Sequence, residues 1–261
     1  MTKTIATVAL LISPIVVFSQ KPNTAPSFDV ATIKPVDSGP KSGRYIVMQG
    51  PHRFVEKDYT LKLLIAAAYN LNPKAVAGGP SWMELEHYDI LAVTPGEKQP
   101  SHNDQMAMLR TLLSERFKLS FHREPRVFPI YVLEVAKSGS KLKESTAAPT
   151  EQPALISTVY PQRILLPARN ASMTDFVSVL QRAILDRPVV DKTGLGGRYD
   201  FDLEWPLDES QFGGDVPPAA SDAPEPGFFT AIQQQLGLRL EATRGPVEAI
   251  VVDHAEHPSA N

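Results

Sequence analysis

The 261-residue chain has no cysteine. That absence excludes disulfides, thiolate zinc sites, iron–sulfur clusters, a cysteine nucleophile and lipid attachment through a thiol. An excess of one charge is missing too: 26 Lys and Arg stand against 29 Asp and Glu, for a formal charge of −3. With no basic block, the chain has no electrostatic footprint for nucleic acid. Beyond the N-terminus no stretch approaches the ~20 apolar residues needed to cross a bilayer, which argues against membrane transport. There is no Walker phosphate loop and no G-x-S-x-G nucleophile elbow, so no motif points to nucleotide-dependent chemistry or that hydrolase class. No cofactor is expected.

At the N-terminus, Lys3 precedes the apolar run 4–18, and small or β-branched residues lie around Val17 and Ser19. A short positive end, an apolar stretch and such a border mark a secretory signal peptide, residues 1–19. Pro14 interrupts the run before it could extend into a spanning helix. Cleavage removes only Lys3 among charged residues and leaves roughly 240 residues, enough for a substantial core without covalent staples. The expected location is the periplasm or the medium, with no stable membrane insertion after cleavage.

Residues 20–27 form a polar lead-in, followed by strands over 28–34 and 44–48. From there a helix–strand–strand pattern recurs four times. Leu61, Leu64, Ile65 and Ala68 share a helical face, and the strand 88–93 follows the turn Gly78-Gly79-Pro80. Met106, Leu109, Leu113 and Phe117 line a second helix. Extended segments 119–122 and 128–135 come next, separated by a turn at Glu124-Pro125-Arg126. Met173, Phe176, Val177, Leu180 and Ile184 line a third helix, opened by a capping box of Ser172 and Asp175. A short edge strand 188–191 and the strand 199–205 follow it; alternation points Tyr199, Phe201, Leu203 and Trp205 at the core. Phe229, Ile232 and Leu236 mark a fourth helix stopped by Gly237. Strands 238–242 and 247–252 then meet at a turn around Arg244-Gly245-Pro246.

Tyr88-Asp89 and Tyr199-Asp200 each follow a glycine-containing turn, which links the first unit to the third. The expected fold is therefore α+β, with duplicated helix–strand–strand units forming two related lobes around antiparallel sheets. The first lobe spans 28–139 and the second 171–261. Residues 140–170 are a linker or loop excursion, and a Pro-, Gly- and acid-rich insertion lies near 206–227.

The ordered set Phe28-Asp29-Val30-Ala31-Thr32-Ile33-Lys34-Pro35, the helix 60–69, Gly79-Pro80-Ser81-Trp82, and the stretches 109–121, 187–201 and 251–261 resembles one particular family. It is an uncharacterised, soil-associated family of secreted proteins, enriched in acidobacteria and sometimes joined to membrane metalloprotease signal transducers. The resemblance covers nearly the whole mature chain. It implies export and a sensing or binding role, and it brings no catalytic residues with it. In fold alone, the helix–strand units are also similar to the small periplasmic domains that precede secretin and outer-membrane receptor channels.

Several residues are candidates for a site. Trp82 and Trp205 are large rings able to wall a ligand or to anchor packing. Arg187, Lys192 and Arg198 flank the glycine-rich segment 191–198 and could assist an anionic partner, although that segment reads first as a turn. Asp200, Asp202 and Glu204 share one side of a strand, where they form a solvated face or offer oxygen ligands. His254, Glu256 and His257 provide imidazole and carboxylate near the C-terminus, but not in His-Glu-x-x-His spacing. No metal site is assigned. The expected function is noncatalytic binding of a protein, peptide or cell-envelope ligand in an exported protein. The alternatives are a cofactor-independent or metal-assisted hydrolase, which needs distant polar groups to converge, and a structural envelope protein. Oligomeric state is open.

Overall fold

A hydroxyl at Thr60 ends one strand and starts the first helix. Its oxygen accepts the Leu63 N–H at 3.3 Å, which satisfies one of the free donors of a helix start. The computed structural model describes residues 25–37, 43–148, 150–160, 163–206 and 227–259. The expected signal segment, most of the expected lead-in and the body of the expected 206–227 insertion lie outside them.

The fold is mixed α+β, with three sheets and interspersed helices among the described residues. Strands β1 (Val30–Val36), β2 (Tyr45–Gln49), β3 (Arg53–Thr60) and β5 (His87–Val93) form an antiparallel sheet in the order β1-β5-β3-β2. Helix α1 (Leu61–Ala68) follows β3, and β4 (Val76–Gly78) and α2 (Trp82–Leu85) precede β5. Helix α3 (His102–Arg116), capped by the Ser101–Asp104 box, leads to β6 (Ser120–Val135). A second sheet is built on β10 (Arg163–Ser172) and β12 (Arg198–Pro206), with the short strands β7 (Lys143–Glu144), β8 (Ala154–Leu155) and β9 (Thr158–Val159) at its margins. Residues 140–170 thus contribute three short strands and most of β10. Helix α4 (Met173–Val179) continues as a π-helical turn, Leu180–Ile184, before β11 (Val189–Asp191). Helix α5 (Phe228–Ala231) continues likewise through Ile232–Leu236 and leads to β13 (Leu238–His254). The Ser172–Asp175 capping box forms, and Gly237 closes the last helix in the left-handed conformation.

The turns expected at Glu124-Pro125-Arg126 and Arg244-Gly245-Pro246 do not occur. β6 and β13 each run straight through and pair antiparallel along nearly their whole lengths. Proline reads as a breaker in sequence because it lacks a ladder donor, yet an edge strand has N–H groups with no partner to lose. Pro125, Pro129 and Val127 alternate on β6 opposite Glu248, Arg244 and Pro246 of β13. Tyr131, in phase with them, donates its N–H outward to Pro188 of the next segment at 2.9 Å. All three prolines therefore occupy outward positions of a two-stranded stretch, and they blunt its open edges. At its ends the ribbon gains β11, parallel to β6, and β4, parallel to β13.

Two hydrophobic clusters result. One joins β10, β12, α4 and α5 to Tyr131 and Leu133 of β6. The other joins β3, β5, α1 and α3 to Ile250 and Val252 of β13. Full burial of each leucine-sized side chain contributes about 1.5–3 kcal/mol. The expected inward set Tyr199, Phe201, Leu203 and Trp205 is buried. In α5 the buried aromatic is Phe228, whereas Phe229, expected on the apolar face, is 44% exposed. The π-helical turn that follows changes the helical phase behind it.

Candidate functional site

The antiparallel pairs β3–β5 and β10–β12 carry the same irregularity. Register shifts between Glu56 and Tyr59 in one pair, and between Ala168 and Ala171 in the other. Within the shifts, Asp58 and Asn170 take positive φ values of 60° and 50°. Asp89 accepts the Asp58 backbone N–H at 3.1 Å, and Asp200 accepts that of Asn170 at 2.8 Å. The Tyr-Asp recurrence in the sequence thus marks a carboxylate that holds a left-handed bulge. The Asn170 N–H, and then the Ser145 hydroxyl, keep the Asp200 carboxyl below the ordinary aspartate range.

Asp202 and Glu204 face outward with Asp200 but take separate partners, Arg169 at 2.8 Å and Arg163 at 2.7 Å. The outer face of this sheet is therefore laced with ion pairs. Arg187, Lys192 and Arg198 are not focused on one point. Arg187 lies 5.1 Å from the Tyr131 ring centre and 3.5 Å from Asp186. Lys192 donates its backbone N–H to Leu133, and Arg198 donates to the Asn170 carbonyl at 2.8 Å. The glycine-rich segment opens with Asp191 accepting the Thr193 N–H at 2.8 Å, an aspartate-initiated turn.

At the C-terminus, His254 meets Glu256 at 3.0 Å and His257 meets Glu86 at 3.1 Å. Contact with His257, then with the Tyr88 hydroxyl, lowers the Glu86 pKa. The His257 ring stacks on Trp82 with centres 4.2 Å apart, so Trp82, half-buried at the start of α2, helps to clasp the tail. Trp205 is 1% exposed and packs edge-on against Phe228 at 4.9 Å, so it is a core side chain. Among the described residues no three His, Asp or Glu side chains gather to hold a metal ion.

The feature that sequence reasoning missed is the outer face of the four-stranded sheet. The register places Val30, Thr32, Leu91, Val93, Val55, Val47 and Tyr45 on the face opposite Phe54, Ile90 and Ala92 of the core. Val30 is 62% exposed, Val93 44%, Leu91 41%, and Val47 and Tyr45 each 40%. Lys34 and Arg53 share the face, while Lys57 is paired with Asp89. In the other sheet, outward positions of the central pair carry the Arg163–Glu204 and Arg169–Asp202 ion pairs instead. A signal was present in the run Ile90-Leu91-Ala92-Val93, apolar on both strand faces where one-sided burial needs only alternate residues.

Residues 62–255 match the model of a protein family described as a protein of unknown function, DUF3738. The chain belongs to the DUF3738 family. No curated protein and no solved structure matches it.

In this DUF3738 chain a second feature lies behind the apolar face. Glu56, on the inner side of β3, is 0% exposed, and among the described residues neither carboxyl oxygen has a hydrogen-bond partner. Burial first, and then the charge of Asp89, push its pKa up to about 9. The Tyr59 N–H pulls the other way without forming a hydrogen bond of ordinary geometry. The carboxyl is therefore neutral at pH 7. Next to it, Asp58 is buried and lies 2.9 Å from His87.

Proposed function

We propose that this is an exported, noncatalytic binding protein that holds a protein, peptide or cell-envelope partner against the outer face of its four-stranded sheet. One observation carries the reading. Five apolar side chains stand exposed on one face of one sheet, around a buried Val55, while the central pair of the other sheet carries two cross-strand ion pairs on its outward face. A contiguous apolar patch rimmed by polar groups is what an interaction surface presents to water before its partner arrives. Lys34 and Arg53 on that face favour a partner with carboxylates beside its apolar groups. The near-neutral charge of the chain and its lack of a basic block speak against nucleic acid.

The wider setting belongs to the same proposal. The N-terminal segment reads as a signal peptide, and no helix among the described residues is long and apolar enough to cross a membrane. Periplasmic or secreted placement fits both. The family resemblance adds a sensing or binding role, as in relatives joined to membrane signal transducers. Internal duplication is part of the proposal as well. The matched bulges and the shared order strand–helix–short strand–strand–helix–long strand support descent of the two halves from one unit.

The test is native mass spectrometry of mature protein recovered from its own periplasm or medium after gentle crosslinking. The wild type is compared with a Leu91→Lys, Val93→Lys double variant. The wild type retains a reproducible partner and the variant loses it, with unchanged circular dichroism. Recovery of the same partner at the same yield from the variant refutes the surface.

A further inference from the structure

Glu56 is a carboxylic acid at a position where the other bulged strand carries alanine. Two residues before the left-handed Asp58 the chain places Glu56; two residues before the left-handed Asn170 it places Ala168, also 0% exposed. Across from Glu56 stand Ile46 of β2 and Ile90 of β5, both apolar. The charged and titratable groups around it give no compensation. Lys57 and Asp89, on the outer side, are paired with each other, and Asp58 is paired with His87. The charges of Asp89 and Asp58 disfavour ionisation, and that of Lys57 favours it weakly. Arg44, ahead of β2, and Arg182, in the π-helical turn after α4, act on the neighbouring Tyr59 hydroxyl. A neutral carboxyl tolerates such a place, whereas an isolated carboxylate in apolar surroundings does not.

We propose that Glu56 is an alkali-sensitive switch in the four-stranded sheet: the closed packing of β3 between β2 and β5 accommodates the protonated carboxyl, and loss of the proton opens the sheet. The apolar outer face belongs to the same strands, so opening disperses it. That consequence for a bound partner rests on the function proposed above; the switch itself does not.

The experiment uses the full mature chain as wild type, Glu56→Gln and Glu56→Ala. Limited proteolysis is followed from pH 5 to 10, with each variant compared with wild type at the same pH so that the pH response of the protease cancels. The open sheet exposes a carboxyl of ordinary pKa and the closed sheet holds one near 9. Opening of the wild type relative to Glu56→Gln therefore rises by up to about tenfold per pH unit, levelling off above pH 9. Glu56→Ala, which copies the residue at 168, serves the same comparison if the glutamine variant does not fold. Wild-type and variant profiles that run parallel across the range overturn the switch. Failure of the Leu91, Val93 test removes the surface reading and leaves this pH slope unaffected, so the two failures are distinguishable.

Discussion

Gly78 ends β4, where that strand lies parallel to β13 and opposite Val252. Its φ is 73°, and a Cβ there would stand 2.8 Å from the Val252 carbonyl oxygen and 3.3 Å from a Val251 methyl. A Gly78→Ala substitution therefore carries two costs. The left-handed backbone costs an L residue about 1–2 kcal/mol. The clash with a backbone oxygen, which cannot swing aside as a flexible side chain can, adds about 1–3 kcal/mol. The total is about 2–5 kcal/mol of lost stability, measured as a shifted urea midpoint at constant slope. Gly50 supplies the control: its φ is 72°, and among the described residues nothing lies within 4 Å of its missing Cβ. Gly50→Ala should show the backbone cost alone, about 1–2 kcal/mol. Equal losses in the two variants would refute the reasoning, because they would mean that β4 and β13 are not in tight contact.

Three further outcomes follow from the same geometry. Glu56→Gln should flatten the pH dependence of stability. A folded pKa near 9, above the ordinary value of 4.5, makes this group cost stability progressively as pH rises between those limits, on the order of 3 kcal/mol by pH 7; thermal melts across pH 5–9 that fall equally in wild type and variant contradict this. For Asp200 the sign is reversed: its lowered pKa gives a contribution present at neutral pH and lost on acidification, so Asp200→Asn should weaken the acid-side fall in melting temperature; an unchanged acid limb counts against the bulge contact. Trp205→Ala should lose about 3–5 kcal/mol as a core cavity, whereas Trp82→Ala, which loses a half-buried stack on His257, should cost about 1 kcal/mol; chemical denaturation of both decides whether Trp205 is purely a packing residue.

Much of the fold is legible from periodicity, and the failures have local causes. The helical faces at 61–68 and 106–113, the Ser172–Asp175 box and the alternation from Tyr199 to Trp205 are short-range patterns with one physical meaning. The long β6–β13 ribbon is not short-range. Its prolines read as turns because sequence does not say which N–H groups point outward. Strand β3 escapes notice because Glu56 occupies an inward position and a bulge displaces Lys57 and Asp58. Among site candidates, the acidic strand was readable as a solvated face, although its arginine partners Arg163 and Arg169 come from another strand. The run Ile90–Val93 signals a strand apolar on both faces, but the clustering of exposed valines with Leu91 depends on the register of four strands, which no local pattern encodes.

The outer face of the four-stranded sheet is proposed to receive a partner. The most direct test is a photo-crosslinking amino acid placed at Leu91 and, as a control, at Glu204 on the ion-paired face, with illumination in the native periplasm or medium. A discrete adduct of one mass is expected from position 91 and none from 204. Equal labelling from both positions, or none from position 91, would contradict the proposal.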